Sequence, residues 1–218
     1  MMYDMNAKTG YFLCVLMGYL LGTFNTAYVI GRLNGRDIRR AGSHNAGATN
    51  LFIVVGLKQG LIAAVGDVMK AVAAVALAEY IFPELALAGV MAGAGCLVGH
   101  AWPFWMGFRG GKGFASYLGL ILSLSGVGTF IGTIIWAAIV IIVGDKILFA
   151  TLSVMVLYPL HMYRHGFESG AVAIMALSSM LMIFRHRTNI ARLIRGEEMG
   201  LRQVRRRKAA GEKAEDDA

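Results

Sequence analysis

Between Phe114 and Gly144 the chain runs 31 residues without a charge, although about 20 apolar residues suffice to cross a bilayer once. Tyr11–Gly31 adds an uncharged run of 21. Shorter apolar blocks follow at Gly60–Phe82, Leu85–Gly99, Ile147–Tyr163 and Ser169–Phe184. Apolar residues make up 57% of the 218 and charged ones 16%, against roughly 45–50% and 25% in soluble domains; the mean hydropathy is +0.60. An ordinary cytosolic enzyme is excluded, and disorder is confined to the ends. The expected fold is an all-α integral membrane protein, a polytopic helical bundle of five to seven transmembrane helices.

The net charge of +8 is unevenly placed: ten of 21 basic residues follow Phe184, with six of 13 acids. Arg32, Arg36, Arg39 and Arg40 share one polar gap, and Arg109 and Lys112 another. Lys and Arg in short loops mark the cytoplasmic side, so these gaps and the C-terminus are expected on one face. The basic tail has no interleaved aromatics or nucleic-acid motif, and no nucleic-acid partner is expected. The N-terminus lacks the basic start of a cleaved signal, so Tyr11–Gly31 reads as a retained first span. With a hairpin at Pro83–Glu84, an even number of crossings must separate His100–Gly113 from the tail. Three visible blocks remain, so one is double or one does not cross; the glycines at 126, 128 and 132 allow the long block to be two helices. Cys14 and Cys96 lie inside apolar blocks and read as packing residues. Asp67 and Lys70, three apart on one helix face, are costly in lipid and must face the bundle interior or water, as a structural pair or as part of a site.

Three polar segments stand out. Gly42-Ser43-His44-Asn45, followed by Gly47, Thr49 and Asn50, packs small residues, hydroxyls and amides together. It reads either as a loop capping the next helix or as a backbone cradle for an anion. Arg109-Gly110-Gly111-Lys112-Gly113 sets three glycines around a lysine just before an apolar block, which suits phosphate at a helix N-terminus. It is not a Walker A loop, since Met106 and Gly113 stand where Gly and Ser or Thr are needed. In the third, helical spacing puts His186, Asn189 and Arg192 on one stripe. The flanking Arg185 and Arg187 disfavour a protonated His186, and a neutral imidazole either accepts a hydroxyl proton or donates to phosphate. Together the segments suit an amphiphile with an anionic head.

The set resembles the three motifs of the bacterial acyl-phosphate:glycerol-3-phosphate acyltransferase family, the PlsY type. The matching stretches are Asp37–Asn50, Gly99–Pro103 with Phe108–Gly113, and Arg185–Leu193, within a similarity running from Gly18 to Glu198. The resemblance implies an inner-membrane enzyme with its motifs and C-terminus cytoplasmic, moving a fatty acyl group from acyl phosphate to the sn-1 hydroxyl of glycerol 3-phosphate. It implies no cofactor and no metal; the lipid bilayer is the other expected partner, and a monomer is expected. It divides the chain into residues 1–10 as a short N-terminal segment, 11–198 as one acyltransferase domain and 199–218 as a charged tail. Residue by residue, it assigns catalysis to His186, Asn189, Ser43 and Lys112. Substrate binding falls to Asn45, Gly110, Gly111, Gly113 and Arg192, and Arg39 or Arg40 is expected to compensate there for an arginine that the family carries where this chain has Ile53. The His-x4-Asp motif of other acyltransferases is absent: Thr49, Trp105, Gly166, Gly170 and Ala191 stand five after each histidine.

The chain departs from the family at several points. Ile53 replaces a usual arginine and His44 a usual glycine, Thr23 and Asn25 differ in the first span, and Gly66 and Ala71 flank an otherwise retained Asp-x-x-Lys. Ile53 motivates one alternative, a paralogue acylating another phosphorylated polyol. A non-catalytic anion transporter is a second alternative, but its site would lie near the midplane and not on one face.

Overall fold

The computed structural model describes residues 6–198, 200, 202 and 203; residues 1–5 and most of the expected charged tail lie outside the described residues. All regular structure among them is helical: α1 (Ala7–Thr23), α2 (Thr26–Leu33), α3 (Ala48–Val54), α4 (Leu57–Ile81), α5 (Ala88–Ala101), α6 (Phe114–Gly144), α7 (Ile147–Arg164), α8 (Ser169–Arg185) and α9 (Arg187–Ile194), with a 3-10 turn at Phe104–Met106. The first helix begins at Ala7, before the apolar block, because Asn6 caps it by accepting from the Lys8 N–H.

The first uncharged run is broken. Asn25 accepts from the Tyr28 N–H at 2.8 Å and starts α2, while its Nδ2 donates to the Ala46 carbonyl at 3.0 Å. The first span is thereby tied to the polar loop after it. Behind the break, α1 and α5 run parallel in backbone contact: a methyl group on Gly18 would strike Ala92, and one on Gly99 would strike Tyr19. In lipid no hydrophobic drive holds helices together, so close approach over small residues supplies the packing. Antiparallel to α5 lies α4, with Glu79 against Gly89 and Val75 against Gly93, after a turn through Pro83.

The 31-residue helix hides a reversal. Gly126 is non-helical, with φ 76° and ψ 177°. A straight helix of this length would separate its ends by about 46 Å. Yet Lys112, just before α6, bonds Asn189, which bonds Glu198, whose backbone carbonyl accepts from Lys146, just after α6. The chain folds back at Gly126, so the long block is the double one. Four segments are long and apolar enough to span a membrane, and the α8–α9 pair, bent by 54°, would make a fifth. Adding α5, short but buried, and the second half of α6 gives seven passages across the bundle among the described residues. Tyr117, Leu120, Ile121, Met155, Met175 and Met182 fill the core. The second half of α6 turns Ile131, Ile135, Ile139 and Ile142 outward, the face expected against acyl chains.

Candidate functional site

The first polar loop is built around Asn50, which is fully buried. Its Oδ1 accepts from the Ser43 N–H at 2.7 Å, and its Nδ2 donates to the carbonyls of Ile38 and Ala41 at 2.6 and 3.0 Å. Gly42 and His44 both take left-handed backbone, φ 61° and 55°. That conformation suits glycine, so the histidine at 44 sits where a residue with a side chain is strained. The result presents Ser43, Asn45, Thr49 and Ile53 to one cavity.

The glycine loop turns back on the end of α5. The Gly110 N–H donates to Ala101 O at 3.2 Å and the Gly111 N–H to His100 O at 3.1 Å. Their carbonyls lie 3.3 and 3.2 Å from Arg185 Nη2, whose guanidinium stacks on Trp102. Gly110 and Gly111 therefore have their amides occupied and shape the loop from beneath. Of the three glycines only Gly113 lines the cavity, beside Lys112. Left-handed at φ 81°, it turns the loop into α6.

At the third segment the chain bends between α8 and α9, so His186 caps both helices instead of lying within one. Its Nδ1 is 2.8 Å from Met182 O. A carbonyl can only accept, so Nδ1 carries the proton and Nε2 is left as an acceptor. Burial lowers the imidazole pKa to about 4, against the Met182 bond and with Lys112 and Arg185 adding. The ring is neutral at pH 7, as the flanking arginines suggested, but burial is the larger cause. Asn189 accepts from Lys112 and donates to Glu198 at 2.6 Å, and Arg192 Nε meets the other Glu198 oxygen at 3.0 Å. Burial, with Arg192 next, brings the Lys112 ammonium down to about 8, Glu198 opposing.

These parts close on a cavity of about 410 Å³. Ser43, Asn45, Lys112, Gly113, His186, Asn189 and Arg192 all line it. Its apolar wall is supplied by Phe52, Ile53, Phe114, Leu118, Ile147 and Leu148. Arg39 and Arg40 are not brought there. Arg39 is held by Asp37 at 2.8 Å, Met106 O at 2.9 Å and the Tyr28 ring, and it braces the first loop against the second. The same guanidinium holds the Asp37 carboxyl below its usual range. Arg40 is exposed. Asp67, His100 and Glu198 also line the cavity; the sequence left Asp67 open between a structural pair and a site role and did not point to the other two. The Asp67–Lys70 spacing and the histidine opening the second segment were the available signals for two of them.

A polar end with Lys112, Arg192 and His186 joined to an apolar wall suits an amphiphilic molecule with a polar head. The profile of the glycerol-3-phosphate acyltransferase family matches residues 12–196. The glycerol-3-phosphate acyltransferase of Mesorhizobium japonicum is 38% identical over 192 residues, 87% of this chain and 95% of the relative. That of Brucella anthropi is 34% identical over 185 residues, 84% and 90%. Crystal structures of PlsY (YgiH), an integral membrane glycerol 3-phosphate acyltransferase, superpose with TM-scores of 0.82 for the glycerol 3-phosphate form and 0.77 for the lysophosphatidic acid form, both at 28% identity. They cover 88% and 89% of this chain and 95% and 97% of the solved chains. By sequence along most of its length and by fold, the chain belongs to the glycerol-3-phosphate acyltransferase family.

Proposed function

We propose that the protein transfers a fatty acyl group from acyl phosphate to the sn-1 hydroxyl of glycerol 3-phosphate, giving lysophosphatidate and phosphate. The observation that carries this reading is the convergence of three sequence-distant segments on one cavity, with Lys112 and Arg192 beside Glu198 at one end and apolar residues along one wall. An acyl phosphate is a mixed anhydride with a stable leaving group, so positioning supplies much of the rate. The acceptor oxygen forms the new ester bond as the acyl carbon–oxygen bond to phosphate breaks. The hydroxyl proton passes to His186 Nε2 or directly to the departing phosphate. Lys112 and Arg192 hold the two phosphates, Ser43 and Asn45 line the same end, and Asn189 orients the acceptor.

We assign the motif end to the cytoplasm of a bacterial inner membrane. Loops there carry Arg36, Arg40, Arg109, Lys112 and Lys146, whereas the opposite turns hold Glu84 and Glu168, with Arg164 ending α7 beside the second, and the cation bias sets orientation. We take the working form to be a monomer. Ile53 in the cavity wall supports a second reading, a different phosphorylated polyol as acceptor.

The test uses purified protein in detergent with palmitoyl phosphate and radiolabelled glycerol 3-phosphate, beside reactions with acyl-CoA or with Lys112→Ala protein. Lysophosphatidate formed only from acyl phosphate, and lost in the variant, supports the reading. Product only with another polyol phosphate supports the second, and no product from any acceptor overturns both.

A further inference from the structure

Beneath the glycine loop lies a charged cluster inside the bundle that the roles above do not use. The Lys70 ammonium is 2.8 Å from three atoms: Asp67 Oδ1, the Phe24 carbonyl at the α1–α2 break, and His100 Nδ1. Thr26 Oγ1 donates to the same Asp67 oxygen at 3.3 Å. Asp67, Lys70 and His100 are all buried. An ammonium has three protons and no lone pair, and here each proton has one acceptor. His100 Nδ1 must therefore accept. Its own distance to Asp67 Oδ1, 3.7 Å, is too long for it to donate there instead. The ring is neutral with its proton on Nε2, and among the described residues no hydrogen bond occupies that Nε2. It lies against Gly111, where a methyl group would strike it, and His100 is a lining residue of the cavity that holds Lys112 and His186. Lys70 itself does not reach the cavity lining.

We propose that the His100 Nε2–H donates a hydrogen bond to the acyl carbonyl oxygen as it becomes negative during transfer, and that Lys70, held by Asp67, is the positioning residue that fixes the ring in that tautomer. This rests on the acyltransferase reading and deepens it. The two histidines then divide the work by opposite tautomers. His186, protonated on Nδ1, offers an acceptor; His100, protonated on Nε2, offers a donor. A neutral, fixed donor aimed at developing charge acts mainly on the transition state, so its loss falls on kcat and not on KM.

The variant pair follows from the geometry. In His100→Asn the side-chain oxygen takes the place of Nδ1 and keeps an acceptor for Lys70, while nothing replaces Nε2–H. In His100→Gln the amide nitrogen reaches the Nε2 position. The expected result for His100→Asn is unchanged thermal unfolding in detergent, kcat lower by about 100-fold, the loss typical of one such donor, and KM for palmitoyl phosphate nearly unchanged. His100→Gln recovers part of that kcat. Lys70→Met lowers kcat by a similar factor, and the double variant with His100→Asn loses no more than either alone, because both act through one ring. Histidine 15N spectra of wild type minus His100→Asn place the ring proton on Nε2. A fully active His100→Asn, a loss confined to KM, additive losses in the double variant, or a proton found on Nδ1 each overturn the proposal. A wild-type chain that forms no lysophosphatidate removes the acyltransferase reading and this role with it, whereas active wild type with an unimpaired variant removes this role alone.

Discussion

Lys112 gives the sharpest quantitative test because its ammonium sits in the cavity with a pKa of about 8, within the range where an enzyme can be assayed. Only the charged form attracts phosphate. At pH 7 about nine-tenths of the free enzyme carries that charge, and at pH 9 about one-tenth. A phosphomonoester, with its second pKa near 6, stays largely dianionic over the same interval. The value of kcat/KM, which reports ionisations of the free enzyme, is therefore expected to fall about tenfold from pH 7 to 9. Bound phosphate raises the lysine pKa again, so kcat falls less. Lys112→Arg, always charged, has lower activity but no such decline. Stability moves the other way. The folded pKa lies below the unfolded value of 10.5, so between about 8 and 10.5 the unfolded chain binds a proton that the folded chain does not. Stability without substrate then rises with pH through that window. The assay is lysophosphatidate formation at limiting glycerol 3-phosphate across pH, with melting curves of wild type and Lys112→Met in the same buffers. A flat kcat/KM from pH 7 to 9.5, with Lys112→Ala inactive, would refute the titration argument.

Three further outcomes follow from particular contacts. Gly99→Leu pushes a side chain into the Tyr19 backbone and should destabilise the α1–α5 pair by about 1–3 kcal/mol, visible as a lower melting temperature in detergent, with Gly99→Ala milder. Ile53→Arg brings a cation to the cavity wall. If it adds one charge-assisted hydrogen bond of about 1.5 kcal/mol, the KM for glycerol 3-phosphate drops roughly tenfold; an unchanged KM would show that the wall does not face the acceptor. Arg40→Ala leaves that KM within about twofold, whereas Arg39→Ala, which loses Asp37, Met106 and Tyr28 together, costs about 1–2 kcal/mol of stability. A large KM effect from Arg40→Ala would restore it to the binding site.

The membrane class and the single polar face were legible because both depend on where charge is absent or clustered, a property of sequence alone. Parity went further: an even number of crossings after His100 required the long block to be double or another not to cross, and Gly126 realises the first. The break at Phe24–Asn25 was not anticipated. An uncharged run hides it, and its cause is a buried amide whose partner, Ala46, lies 21 residues away. Arg39, Arg40, Gly110 and Gly111 belonged to the right segments, but proximity in sequence does not decide which way a side chain or an N–H points. That depends on Asp37, Met106 and the end of α5. The importance of His100 was least legible, since its tautomer is set by a lysine one helix away.

The union of a polar end bearing Lys112 and Arg192 with an apolar wall in one cavity has a consequence for how the proposed reaction is counted. One reactant arrives from water and is measured in moles per litre; the other is dissolved in the leaflet, and its effective concentration is a mole fraction in a two-dimensional phase. Added detergent dilutes the second without touching the first. Rates at fixed bulk amounts of both substrates should therefore fall as detergent rises, and collapse onto one curve when plotted against surface composition.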